Sequence, residues 1–251
     1  MRTLLAGLAL AWAGVAAAHG GLVDVSVYDR TESRRLPVYW HEGRAYVAGK
    51  PGNEYQVSLR NRGGEDVLAV VSVDGVNVIT GETANPQQSG YVLSPRRALD
   101  IQGWRRSLSQ TAAFYFTALP DSYAARTGRP NDVGVIGVAV FRKKHVPPPA
   151  PISRSEAPAK QSGDAAGAGS RAAEAAGPQR DDRLGTGHGR HETSHAYYAS
   201  FERASYAPSE VITLHYDSHQ NLLARGIIRA PVPVAPHVPR PFPGFVPDPQ
   251  G

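Results

Sequence analysis

The chain contains no cysteine. That excludes disulfides, thiolate metal sites and cysteine catalysis. An exported protein without disulfides must hold together by its core, which argues against a tiny extracellular scaffold. Beyond the N-terminal segment there is no apolar run long enough to cross a bilayer, which takes about 20 residues. Helical periodicity is nearly absent. The net charge of +5 is mild, and no basic stripe interleaved with stacking aromatics is present, which argues against nucleic-acid binding. A G-x-S-x-G elbow and EF-hand spacing are both missing. The balance favours binding over catalysis, and no catalytic residue is assigned.

What is present begins with Met1-Arg2, an apolar run from Leu4 to Val15, and Ala16-Ala17-Ala18. A basic start, an apolar stretch and a small-residue end describe a secretory signal peptide over residues 1–18. Cleavage after Ala18 makes His19 the first mature residue. The expected location is the periplasm or the exterior, with another envelope protein, an anionic cell-wall polymer or a lipid surface as partner.

From Asp66 to Gly81, two valine-rich runs flank Asp74-Gly75. Asp-Gly supplies the positive φ angles of a tight hairpin, and β-branched flanks suit a half-buried pleated surface. Alternation predicts further strands over Leu22–Asp29, Leu36–Glu42, Arg44–Ala48, Glu54–Asn61, Tyr91–Leu93, Leu99–Ile101 and Thr111–Leu119. Pro37 cannot donate to a ladder, so the second of these starts there or lies at a sheet edge. The nearly continuous apolar run Val133–Phe141 reads as a central strand covered on both faces. Asp121 is a plausible N-cap for one helical turn reaching Arg126. Short strands with turn chemistry between them predict an all-β fold, an antiparallel β-sandwich over residues 19–143.

Composition then changes. Residues 144–183 hold Pro147-Pro148-Pro149 and repeated Ala, Gly and Ser with almost no large apolar residue, which predicts a disordered linker. Order is expected to resume at Leu184 as a small C-terminal β-meander over 184–230, with strands at Ala196–Arg203, Glu210–Tyr216 and Leu222–Arg229. Fewer than 50 residues without cysteine rarely make a core alone, so the meander should pack on the sandwich. Residues 231–251 form a proline-dense, extended tail.

Three groups of residues carry candidate chemistry. An α-amino group and the imidazole of His19 form a nitrogen chelate suited to Cu(II). In the run Gly185 to Glu192, His188 and His191 are placed to share a zinc ion with His195 or Glu192; the bland alternative is a polar, glycine-rich lead-in whose arginine and glutamate pair with neighbours. Trp104 beside Arg105 and Arg106 is a candidate for gripping an anion or a sugar face by cation–π and stacking contacts; the alternative is a tryptophan that plugs one end of the sandwich.

Ala18-His19-Gly20 resembles the processed start of lytic polysaccharide monooxygenases and of some periplasmic copper carriers, which implies copper at the terminal histidine. Over a much longer stretch, YDRTESRRLPVYWHEGRAYVAGKPGNEY (Tyr28 to Tyr55) and VDGVNVITGETANPQQSGYVLSP (Val73 to Pro95) resemble a group of uncharacterised exported proteobacterial proteins. GTGHGRHE, FERAS and YDSHQNLLARGII resemble the same group. That resemblance implies export and a shared architecture, and no activity.

Overall fold

The computed structural model describes residues 18–19, 21–145 and 183–229, the first pair by backbone alone. The expected leader apart from Ala18, the expected linker apart from its ends, and the proline-dense tail lie outside the described residues. Strand β1 (Ala18–His19) straddles the expected cleavage junction and lies against β2 (Val23–Asp29), whose far end pairs with β3 (Arg34–Arg35). β4 (Val38–His41) and β5 (Arg44–Gly49) form a hairpin turned by Glu42 and Gly43, both at positive φ. There follow β6 (Glu54–Asn61), β7 (Val67–Val73), β8 (Val76–Asn77), β9 (Tyr91–Leu93), β10 (Ala98–Ile101), β11 (Gly103–Arg105) and β12 (Gln110–Ala118). One short helix, α1 (Tyr123–Arg126), precedes β13 (Val135–Arg142). After the linker come β14 (Leu184–Thr193), β15 (Glu210–Ser218) and helix α2 (His219–Ala224).

These strands make two sheets packed as a sandwich. The first runs β1-β2-β6-β12-β11, with β3, β10 and β14 attached to β2, β6 and β12. The second runs β4-β5-β15-β13-β7-β8, with β9 on β7. Alternation decides which face is buried: Val23, Val25 and Val27 of β2 and Tyr55, Val57 and Leu59 of β6 are fully enclosed. They meet Val71, Val73, Val138 and Val140 of the second sheet in one core. β4 lies at an edge, as Pro37 allows, and β13 lies between β7 and β15. Among the described residues no helix is long and apolar enough to cross a membrane.

The Asp74-Gly75 hairpin forms as expected, with φ of 53° and 70° at its two turn residues. Its second arm is only two residues long. Asn77 Oδ1 accepts from the backbone N–H groups of Ile79 and Thr80, and this local turn ends the strand before the apolar run does. The helical turn is capped by Ser122, whose Oγ accepts from Ala125 N–H, and not by Asp121.

The C-terminal segment departs further from expectation. Its strands are not neighbours. β14 pairs along β12 in the first sheet, and β15 inserts into the second sheet between β13 and β5. Because β15 enters a gap between two strands laid down earlier, it runs parallel to β5, the one parallel pair described in an otherwise antiparallel fold. Residues 196–203 form no strand, and helix α2 occupies the start of the expected third strand, with Ser218 Oγ capping Asn221 N–H. Strand β14 was hidden by its glycines, which sequence reasoning treats as strand breakers. They are there for close approach: a Cβ at Gly187 would sit 2.1 Å from the Tyr115 ring.

Candidate functional site: an edge cleft beneath the 194–203 strap

The site is built where β9 of one sheet and β10–β11 of the other come side by side. The chain crosses from β6 to β12 between β10 and β11, and it does so with its backbone pressed on a neighbour. A Cβ at Gly103 would lie 1.9 Å from the Ala112 carbonyl oxygen, which is backbone and cannot swing away. Gly103→Ala is therefore expected to lower stability by about 1–3 kcal/mol, the usual range for overpacking, read as a fall in thermal midpoint.

Alternation along β11 then separates the three sequence candidates. Trp104 turns inward and is 3% exposed, edge-on to Phe114 with ring centroids 4.8 Å apart. It is a plug at the end of the core and is not offered to solvent. Arg105, on the opposite face, lines a cavity of about 530 Å³ together with Leu68, Tyr91, Leu99, Thr111 and Phe201. The segment 194–203 straps over it.

The strap is pinned at both ends. Near its start, Ser194 N–H donates to Ser109 O and Ala196 N–H to Leu108 O. Arg105 donates from Nη1 to Ser194 O (2.8 Å) and from Nη2 to Ser194 Oγ (3.0 Å), while its Nε donates to Tyr91 Oη (2.9 Å). Near its end, Lys144 N–H donates to Glu202 O, and Arg203 donates to Gln87 Oε1 and Gln88 O and stacks over Phe141. Between the pins, Tyr197 and Tyr198 are 88% and 91% exposed, and both line the cleft.

Two features of the cleft are unusual. Thr111 is 1% exposed, yet its Oγ1 has no hydrogen-bond partner among the described residues. An unsatisfied buried hydroxyl costs on the order of 1–3 kcal/mol. In addition, the two arginines at the cleft, Arg105 and Arg203, are half-buried and neither pairs with a carboxylate among the described residues. Asp100, the acidic residue at the cleft, is exposed and accepts from Ser58 Oγ.

The remaining candidates divide between two places. Trp104 stacks on His188 (centroids 6.1 Å, 11° between planes), and His188 lies 6.4 Å from the His191 ring. Arg106 Nη1 contacts His191 Nε2 at 2.9 Å. A guanidinium only donates, so this nitrogen accepts and the ring carries its proton on Nδ1. Burial, followed by the charge of Arg106, holds the His188 pKa below the usual 6.5. Arg106→Gln should raise it, a change read directly from the imidazole proton shifts in an NMR pH titration.

His195 instead lines the cleft. Glu192 is engaged by Arg30 and Arg190. Among the described residues no group of three or more histidine or acidic side chains is gathered to hold a metal ion. His19 lies on β1 opposite Asp24 of β2, and its side chain is outside what the structure describes.

A second groove of about 550 Å³ borders Arg34, Tyr39, Lys50 and His219. Its cations Arg34 and Lys50 are both satisfied by Glu32, and neither of the two unpartnered buried side-chain atoms lies there.

Asp74 belongs to the interior. It is fully buried. Oδ1 accepts from Gly134 N–H (2.9 Å) and Tyr216 Oη, and Oδ2 accepts from Thr186 N–H (2.8 Å). Thr186 Oγ1 links Tyr216 Oη (2.6 Å) to Tyr55 Oη. This chain ties β7, β14, β15 and β6 together across the sandwich. Asp74 also occupies a backbone N–H of β14 that would otherwise face outward from the sheet edge.

The chain matches no protein-family model, no curated protein and no solved structure. Of the site, sequence reasoning found Arg105 and His195 but in different groups, and it missed Thr111, Tyr91 and the strap. The run Tyr197-Tyr198, two aromatic residues that fall in no buried strand, was the available signal.

Proposed function

We propose that the protein is an exported binding protein of the bacterial envelope, without a catalytic role, and that it holds a small ligand in the cleft beneath the 194–203 strap. The observation that carries this reading is the buried, unpartnered Thr111 hydroxyl lining a cavity of about 530 Å³, a size within the range of about 300–1,000 Å³ common to ligand sites. Most donors of Arg105 are spent on the walls of the cleft, which suits retention of a ligand more than turnover. The exposed Tyr197 and Tyr198 are amphipathic rings of the kind that contact ligands and partners. The signal-like start supports export.

The test is native mass spectrometry of the full protein purified from its own envelope fraction. The expected spectrum shows a retained small molecule that disappears in Leu108→Trp, where the indole fills the cleft. A ligand-free protein, or a bound molecule indifferent to that substitution, would remove the cleft from consideration.

A further inference from the structure

The chemistry of the cleft also points to the class of ligand, an inference that rests on the cleft being the binding site. Arg105 and Thr111 are direct cross-strand partners in the β11–β12 pairing, and both line the cleft. Their side chains therefore stand next to each other on one face. Of the five N–H groups of Arg105, four are committed: Nε to Tyr91, two on Nη1 to Ser107 O and Ser194 O, and one on Nη2 to Ser194 Oγ. One N–H on Nη2 is left, beside one unpartnered hydroxyl.

That makes two adjacent donors with a positive charge behind them. Glu192, the neighbour of Thr111 on the other side, does not cancel the charge, because its carboxylate is taken by Arg30 and Arg190. Away from this polar corner the walls are apolar: Leu68, Ile79, Val92, Leu99, Ile101 and Phe201. Two donors match the two oxygens of one carboxylate, and charge-assisted hydrogen bonds are the strong ones. A phosphate monoester would bring a third terminal oxygen and a second charge for which this corner holds no further donor.

We infer that the cleft binds a monocarboxylate amphiphile of the fatty-acid type, its carboxylate held by Arg105 Nη2 and Thr111 Oγ1 and its chain laid along the apolar wall beneath the strap.

The experiment is isothermal titration of the full-length protein with monomeric dodecanoate, with dodecanol and acetate as controls. Dodecanoate should bind one to one and saturably. Dodecanol should bind about tenfold more weakly, the worth of one charge-assisted hydrogen bond, and acetate should give no heat. Thr111→Val should weaken dodecanoate about tenfold without lowering the thermal midpoint, because it removes an unsatisfied hydroxyl at nearly constant volume. Thr111→Ser keeps the hydroxyl and should keep the affinity.

Dodecanol binding as tightly as dodecanoate would overturn the carboxylate while leaving the cleft as a site. Acetate binding as tightly would overturn the amphiphile. Dodecanoate binding unchanged in Thr111→Val would place the ligand elsewhere and take the cleft reading down with it. Binding seen only after deletion of residues 231–251 would make that tail the occupant and overturn the inference. Absence of binding to both forms would also overturn it, leaving the cleft reading to the mass spectrum.

Discussion

A chain ending at residue 145 is expected not to fold, and a separate chain carrying residues 183–251 is expected to restore the fold when the two are refolded together. β15 holds the centre of the second sheet, paired with β13 over Val135–Val140 and with β5 over Ala45–Gly49. Its removal leaves two strand edges open inside the sandwich. The segment also buries Leu184, Ile212, Leu214, Tyr216, Leu222, Ile227 and Ile228. At about 1.5–3 kcal/mol for each large apolar side chain, these contribute roughly 10–20 kcal/mol, which exceeds the whole net stability of about 5–15 kcal/mol typical of a domain. Circular dichroism and one-dimensional NMR decide the matter: a dispersed β spectrum from the truncated chain alone would show that the C-terminal strands are an accessory to an independent sandwich.

Asp74→Ala is expected to cost roughly 3–5 kcal/mol, because it strands the N–H groups of Gly134 and Thr186 and the Tyr216 hydroxyl in a dry interior. The effect depends on pH. Burial pushes Asp74 up to about 6, against hydrogen bonds from the Tyr216 side chain and the Gly134, Thr186 and Val135 backbone that pull it down, whereas its ordinary value is 3.8. The folded protein therefore holds this proton more tightly than the unfolded chain does. The contribution of the group is full below about pH 4 and is lost as pH rises through about 6, a change of about 3 kcal/mol.

The hydroxyl chain explains how the neutral acid is accommodated. With Asp74 ionised, Tyr216 Oη donates to Oδ1; protonation reverses that bond, so that the acid donates to Tyr216 Oη, whose own proton turns to Thr186 Oγ1, and that hydroxyl turns to Tyr55 Oη. The difference in stability between the parent and Asp74→Ala, from urea melts, should accordingly be larger near pH 4.5 than near pH 8. An equal difference at both would mean that Asp74 stays ionised throughout.

The parts of this fold that depend on local pattern were legible in the sequence. Val23, Val25 and Val27 announce a one-sided strand, Pro37 a strand start or an edge, Val133–Phe141 a central strand, and Asp74-Gly75 a turn. What was not legible depends on contacts between residues far apart. Leu184–Thr193 is a strand in which Tyr115 and Ser122 leave room only for glycine at positions 187 and 185, on the face opposite Leu184 and Thr186, and no property of residues 184–193 alone says so. The position of β15 is set by a gap between β5 and β13 that opens about 70 residues earlier in the chain.

The candidate site shows the same division. Arg105 stood out because it follows a tryptophan, yet the period of two along β11 sends Trp104 into the core and Arg105 to the cleft. Thr111 is an ordinary strand residue by sequence, and only its pairing with Arg105 and its lost hydrogen bond mark it. His188 and His191 do come together, but beside Trp104 and Arg106, while His195 belongs to the cleft.

The most direct test of the account is amide chemical-shift mapping of the isotopically labelled full-length protein on addition of the small-molecule extract of its own envelope. Binding in the cleft predicts shifts at Leu99 to Arg105, at Thr111 and along residues 194–203, with β14 and the Asp74 chain unmoved. Shifts confined to His188, His191 and Arg106, or no shifts at all, would contradict it.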